Sequence, residues 1–195
     1  MAELIIVFRE VLEATLIVGI LYTFLKQTNQ EEALTKLWQG VLLALAASIV
    51  GSFLFQQFAG GFTGQAGKLF EGIVMIVAAG VLGTVIVWMA KNKNIAEDLK
   101  GKAEQALSSN KVGLGIFLLA FISVFREGIE TILFLYGVMM KQGGLSISLS
   151  LLGAAMGIGV GYLIFVQGKK VPLKTFFNVS SILLIFVAAG MFAYG

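Results

Sequence analysis

Six apolar stretches of membrane-spanning length constrain the fold of this chain more than any other feature. They cover approximately residues 3–25, 36–58, 69–90, 112–140, 145–166 and 173–194. Each is near or above the ~20 residues that an α-helix needs to cross the hydrocarbon core of a bilayer. The stretches are continuously apolar, whereas the strands of a transmembrane β-barrel alternate in hydropathy. The sequence therefore predicts an all-α membrane protein with six transmembrane helices.

Composition supports this class and excludes several functions. The chain is 58% hydrophobic and 13% charged, which is atypical of a soluble domain. It contains no cysteine and no histidine, which excludes disulfides, thiolate chemistry, histidine-ligated haem and the usual zinc and copper sites. No nucleophile–base pair and no phosphate-binding loop are present, so we expect neither an enzyme nor a resident cofactor. The net charge of +3 comes from lysines in loops and does not indicate a nucleic-acid partner.

The lysines are distributed asymmetrically about the apolar stretches. Ten of them lie in the loops after the first, third and fifth stretches, and only Lys68 and Lys141 lie on the other side. The positive-inside rule then places the lysine-rich loops in the cytoplasm and the N-terminus outside. We therefore expect an integral protein of the plasma or inner membrane, with the lipid bilayer as one of its partners.

One charged signature, Arg-Glu-x-x-Glu, occurs twice inside these stretches, at residues 9–13 and 126–130. The two copies lie in the first and fourth stretches, which cross the membrane in opposite directions. This arrangement is typical of transporters built from inverted repeats. We predict one three-helix repeat over 1–90 and a second over 112–195. A cytoplasmic amphipathic linker, 91–111, joins them.

The glutamates of the two signatures are the candidate metal ligands: Glu10, Glu13, Glu127 and Glu130. Ionisable residues inside a membrane are costly and usually functional. The two glutamates of each signature are three residues apart and so lie on nearly the same helix face. Arg9 and Arg126 each precede the second glutamate of their signature by four residues. This spacing allows an ion pair, which would favour the ionised form of that glutamate. Because acids outnumber arginines two to one, ion pairing alone leaves a surplus of negative charge, which favours a bound cation or protons.

Carboxylate oxygens without imidazole or thiolate favour hard cations such as Fe³⁺, Mg²⁺, Ca²⁺ or Mn²⁺. Glu71, at the outer start of the third stretch, is a candidate entrance residue; the alternative is an acid that caps its helix. With Glu71 included, five glutamates and two arginines sum to −3, which a trivalent cation would balance. Thr15 and Thr131 are weaker candidates beside the signatures, and hydrogen bonding to their own helix backbone is their expected role.

Small residues recur every four positions in the second and fifth stretches: Gly40, Ala44, Ser48 and Ser52, and Gly153, Gly157 and Gly161. Such stripes let transmembrane helices pack closely. The pattern leaves open whether the contact is within one chain or between copies in a homo-oligomer.

The paired signatures resemble those of the oxidase-dependent iron permease family, which includes the bacterial EfeU-like permeases. Arg126-Glu127-Gly128-Ile129-Glu130 differs by one conservative change from that family's Arg-Glu-Gly-Leu-Glu, and the first signature has Val11 in place of the glycine. The resemblance extends to Phe70-Glu71-Gly72, Leu99-Lys100-Gly101-Lys102, and Phe176-Phe177 through Ala188-Ala189-Gly190. It therefore covers nearly the whole chain.

The resemblance implies that ferric iron (Fe³⁺) is the transported substrate, with the signature glutamates as ligands. It also implies a partner on the outer face, an extracytoplasmic iron oxidase or iron-delivery protein. The family usually has a seventh helix, so the chain is expected either to be truncated before it or to act with six. Two alternatives from other classes stay open: a divalent-cation/proton exchanger that uses the same glutamates, and a membrane scaffold subunit that transports nothing.

Overall fold

The computed structural model describes residues 2–60, 64–91, 95–108 and 112–167, together with Phe186 and Ala189. In these ranges the chain forms helices and short turns without any strand: α1 (Ala2–Gln27), α2 (Glu31–Gly60), α3 (Gly64–Lys91), α4 (Ile95–Leu107), α5 (Val112–Gln142) and α6 (Ile147–Gln167). The all-α class expected from the sequence is confirmed for this part of the chain. The sixth apolar stretch, 173–194, lies outside the described residues except for those two positions.

Two described helices are long and apolar enough to cross a membrane, judged by length and composition. They are Glu31–Phe58 within α2 and Ile147–Phe165 within α6. In the most apolar 18-residue segment of each helix, only 22% and 17% of the residues are buried inside the protein. Most of their apolar side chains therefore face outward. A soluble protein would bury such helices in its core. The helices α1 and α5 are of similar length, but each carries the charges of one signature in its interior.

The most extensive contacts between helices are those of α2 with α5 and of α1 with α6. Both pairs run parallel, because residue numbers increase together along the two helices. The α2–α5 contacts join Gly40 with Ala120, Ser48 with Gly128, and Phe55 with Tyr136. The α1–α6 contacts join Phe8 with Gly153, Val11 with Gly157, Thr15 with Gly161, and Gly19 with Phe165.

The small-residue stripes lie at these two contacts. A Cβ atom added at Gly40 would lie 2.5 Å from the carbonyl oxygen of Phe117, and one added at Gly153 would lie 2.6 Å from that of Leu4. Such backbone-to-backbone approach is available only to glycine or to residues nearly as small. The close packing expected from both stripes is thus present, and it occurs within one chain.

The two signature helices, α1 and α5, cross in antiparallel fashion at the centre of the described part. One cluster joins the start of α1 to the end of α5 through Ile6, Phe134 and Val138. A second joins the end of α1 to the start of α5 through Leu21, Leu25, Ile116 and Ala120. These two apolar clusters leave the middle of both helices, where the signatures lie, between them.

The helix α4 closes the end of the bundle where α1 finishes. Its Leu99 and Ala103 are buried, and Ala103 belongs to the same apolar cluster as Leu25. Its charged side chains are exposed: Glu97, Asp98, Lys100, Lys102 and Glu104. The amphipathic helix expected in this segment is therefore present, with its apolar face against α1 and α5.

Candidate metal site

Three carboxyl groups from two helices meet midway between the apolar clusters. Glu10 of α1 and Glu127 and Glu130 of α5 each offer an oxygen, and these atoms all lie within 4.8 Å of one another. Their side chains are 1%, 5% and 5% exposed. The i,i+3 spacing directs both α5 glutamates toward α1, and the antiparallel crossing brings Glu10 opposite them. We call Glu10, Glu127 and Glu130 the carboxylate cluster.

Arginines border the carboxylate cluster on both helices. Arg9 is fully buried and forms ion pairs with Glu10 and, at 2.7 Å, with Glu13. Arg126 donates from Nε to Oε1 of Glu130 at 2.7 Å. Both i,i+4 pairs expected from the signatures are present. The two arginines nevertheless differ, because the Arg126 side chain is 44% exposed whereas that of Arg9 is 0% exposed.

The carboxylate cluster has more acceptor oxygens than the described donors satisfy. One buried oxygen on each of its glutamates, Oε2, has no hydrogen-bond partner within the described part of the chain. A buried carboxylate oxygen is costly unless a donor or a cation satisfies it. Three carboxylates at this separation also repel one another unless a cation or protons reduce their charge. The arrangement is therefore suited to holding a hard cation through oxygen.

Glu13, the fourth predicted ligand, is not among the three glutamates whose oxygens come together. Its carboxylate is 13% exposed and is held by Arg9. The hydroxyls of Thr15 and Thr131 donate to Val11 and Glu127 carbonyl oxygens of their own helices, both at 2.7 Å. This backbone bonding is the role that the sequence indicated for the two threonines.

Glu71, the predicted entrance residue, lies in the first half of α3, and its side chain is outside the described part of the structure.

A cavity of about 380 Å³ reaches the carboxylate cluster from between α1, α2 and α5. Glu10 and Glu127 are the charged residues among those that line it, and both are buried, whereas Ser52 and Gln56 are exposed. Gln56 of α2 and Met139 of α5 line it near the far ends of their helices. The walls between are largely apolar.

Sequence reasoning singled out Thr131, which also lines this cavity, but missed the polar residues that α2 contributes to it. Ser48, Ser52 and Gln56 lie four residues apart along the cavity face of α2. The sequence shows the two serines only as part of a small-residue packing stripe, and Gln56 only as a polar residue near the end of the second apolar stretch. One signal in the sequence could have found them. The four-residue spacing of the small residues continues to Gln56, whose long amide side chain is not needed for close helix packing.

Comparison with known proteins identifies the family. The model of the iron permease FTR1 family matches residues 1–195. The "Ferrous iron permease EfeU" of Yersinia pestis is 33% identical over 192 residues, covering 97% of this chain and 68% of the relative. The protein of the same name from Escherichia coli O6:K15:H31 is 33% identical over 195 residues, covering 97% and 70%. No solved structure matches the chain. This chain therefore belongs to the iron permease FTR1 family.

Proposed function

We propose that this chain is an iron permease in which the ion crosses between α1 and α5 through the carboxylate cluster. One observation carries the proposal: three buried carboxyl groups from two helices meet with an unpaired oxygen on each. Membership of an iron permease family makes iron the expected cargo. Family and outward-facing apolar helices together indicate an integral membrane protein.

The proposed architecture is six transmembrane helices in two inverted repeats, 1–90 and 112–195, with 91–111 between them. The helix pairing supports it. The second helix of the first repeat, α2, packs parallel to α5, and the second helix of the other repeat, α6, packs parallel to α1. An exchange of equivalent helices is what a two-fold axis in the membrane plane would produce. The lysine distribution supports an N-terminus outside and α4 in the cytoplasm.

Within this architecture each charged residue has a proposed role. Glu10, Glu127 and Glu130 bind the ion directly. Glu13 is a fourth ligand that joins when the ion draws it from Arg9, with which it shares a 2.7 Å ion pair. Arg9 and Arg126 balance part of the negative charge of these carboxylates through ion pairs, without touching the ion.

The proposed path begins at the outer face. An iron oxidase or iron-delivery protein there supplies the ion, and Glu71 receives it. The ion then binds at the carboxylate cluster and leaves toward the lysine-rich face as the two repeats rock against each other. Thr15 and Thr131 act only through the backbone of the signature helices.

The proposed oxidation state is ferric, because every candidate ligand is a hard carboxylate oxygen. Ferrous iron is the second candidate, and two observations favour it. The relatives from Yersinia pestis and Escherichia coli are named ferrous iron permeases. The four signature glutamates and two arginines also sum to −2 when all are ionised, which a divalent ion balances.

Uptake of radiolabelled iron into proteoliposomes tests the proposal. Ferric citrate and ferrous iron kept reduced by ascorbate are compared for wild type, Glu127→Gln and Glu130→Gln. The matched control is Glu104→Gln, the same change at an exposed position on α4. We expect both cluster variants to lose at least 90% of uptake and the control to keep it. The preferred form of iron in the wild type decides the oxidation state.

The same experiment separates the rival functions. A divalent-cation/proton exchanger would change the pH of the liposome lumen in step with uptake, which an internal pH dye reports. A scaffold subunit would show no uptake in the wild type and would lose only stability in the glutamine variants.

A further inference from the structure

We propose that the cavity between α1, α2 and α5 is a loading site for a hydrated cation. Oxygens of Ser48, Ser52 and Gln56 there replace part of the water shell before the ion reaches Glu10 and Glu127. This inference rests on the proposed function and adds to it a second binding position, made of neutral oxygens and separate from the carboxylate cluster.

The size of the cavity suits an ion that still carries water. Six water molecules occupy roughly 180 Å³ at ~30 Å³ each. The cavity volume of about 380 Å³ therefore has room for a cation with a full first shell. A divalent or trivalent cation gives up its bound water only if other oxygens replace the water molecules step by step.

The three polar residues of α2 form a track that leads to the carboxylate cluster. Ser48 lies beside Gly128, next to Glu127, and Gln56 lies two turns farther along α2, a distance of roughly 12 Å at 1.5 Å per residue. The Ser48 hydroxyl donates to the Ala44 carbonyl oxygen at 2.8 Å, which leaves the lone pairs of its oxygen for an incoming cation. The track thus presents oxygen among the other α2 residues that line the cavity, Leu45, Ile49 and Phe55, which are apolar.

The electrostatics of the cavity favour cations. Its charged residues, within the described ranges, are the buried Glu10 and Glu127, and each carries a buried oxygen without a hydrogen-bond partner. Acids at the end of a low-dielectric cleft focus the field and raise the local concentration of positive ions. A lipid chain, the other occupant of an apolar groove, would gain nothing from the two serines and the glutamine.

The other helix pair shows that packing does not require this polarity. Val11 holds the place in the first signature that Gly128 holds in the second, and it contacts Gly157 as Gly128 contacts Ser48. One helical turn farther along each helix, Ser52 of α2 corresponds to Gly161 of α6. Two turns farther along, Gln56 corresponds to Phe165. The Phe165 ring lies against Gly19, where an added Cβ would be 2.0 Å from it. The equivalent face of α6 is therefore closed by an aromatic ring.

Single cysteines test the loading site directly, because the chain has no native cysteine. Ser52→Cys and Gln56→Cys are made in the full chain, reconstituted in liposomes, and treated with cationic and anionic methanethiosulfonates of similar size. The control is Leu54→Cys, which is 51% exposed on the same part of α2 but does not line the cavity. A lipid-soluble maleimide serves as the third probe.

We expect the two cavity cysteines to react with the cationic reagent at least tenfold faster than the control does. We also expect them to prefer it over the anionic reagent, and the preference to fall severalfold when Glu127→Gln is added. Reaction no faster than at Leu54→Cys, or reaction with the maleimide alone, would overturn the loading site and indicate a lipid-filled groove. Iron uptake by the same variants is measured in parallel. If uptake depends on Glu127 but the two cavity cysteines are not labelled, the permease function is supported and the loading site is refuted. If the wild type shows no uptake, the result contradicts the permease function alone.

Discussion

Replacing Gly128 by valine tests the helix contact that positions the carboxylate cluster. Valine holds the equivalent place in the first signature, so the sequence alone suggests that Gly128→Val is tolerated. The structure predicts otherwise, because a Cβ at Gly128 would lie 2.0 Å from Oγ and 2.7 Å from Cβ of Ser48. The hydroxyl can rotate away, but the Ser48 Cβ is fixed to the α2 backbone. The two helices would have to separate.

The expected cost follows from the overlap. Overpacking of this kind typically destabilises by ~1–3 kcal/mol, and the better helix propensity of valine over glycine offsets less than ~1 kcal/mol of it. We therefore expect a net loss of about 1–2 kcal/mol. Ser48→Gly should restore space, as Gly157 provides it opposite Val11, so the double variant should recover ~1 kcal/mol relative to additivity.

Equilibrium unfolding in mixed detergent and SDS micelles, followed by circular dichroism, measures these differences. The control is Gly159→Val, since a Cβ at Gly159 would meet nothing within 4 Å. We expect this control to stay within ~0.5 kcal/mol of wild type. Wild-type stability of Gly128→Val, or a double variant whose losses simply add, would refute the close contact between Gly128 and Ser48.

Two further predictions concern the ion pairs and the α1–α6 contact. Arg9→Gln should destabilise by about 3–5 kcal/mol, because Glu10 and Glu13 both lose a partner that is fully buried. Arg126→Gln should cost about 1 kcal/mol, because the Arg126 side chain is 44% exposed and water can take its place beside the buried Glu130. Equal losses in SDS unfolding would show that the two arginines share one environment. Gly19→Leu should disrupt the contact with Phe165 and lower the thermal midpoint in detergent, and Phe165→Ala should partly restore it; no rescue would count against this contact.

Much of the fold could be predicted from the apolar runs. Five predicted stretches each overlap one helix of the structure: α1, α2, α3, α5 and α6. The helix ends lie at the predicted boundaries or one to five residues beyond them, except that α6 begins two residues later than predicted, at Ile147. These extensions are turns rich in polar residues, which hydropathy does not detect. The end of α1 is an example: Asn29 takes φ 53°, and the Gln30 amide donates to the Leu25 carbonyl oxygen, so the helix ends in a Schellman motif.

The candidate site could be predicted only in outline. The signatures identify four glutamates as equivalent, but the structure brings three together and leaves Glu13 with Arg9. Which carboxylates meet depends on the register of α1 against α5 and on side-chain rotamers, and the sequence spacing does not contain either. The cavity depends on which face of α2 meets α5, and a stripe of small residues does not distinguish packing from an oxygen-lined path.

Equilibrium iron binding to the purified protein tests the central claim most directly. Wild type, Glu127→Gln and the control Glu104→Gln are titrated with iron at fixed pH, and bound metal is separated and counted. We expect one tightly bound ion in the wild type and the control, and at least tenfold weaker binding in Glu127→Gln because one of three meeting carboxylates is neutralised. Equal affinity in all three proteins would contradict the assignment of the carboxylate cluster as the iron site.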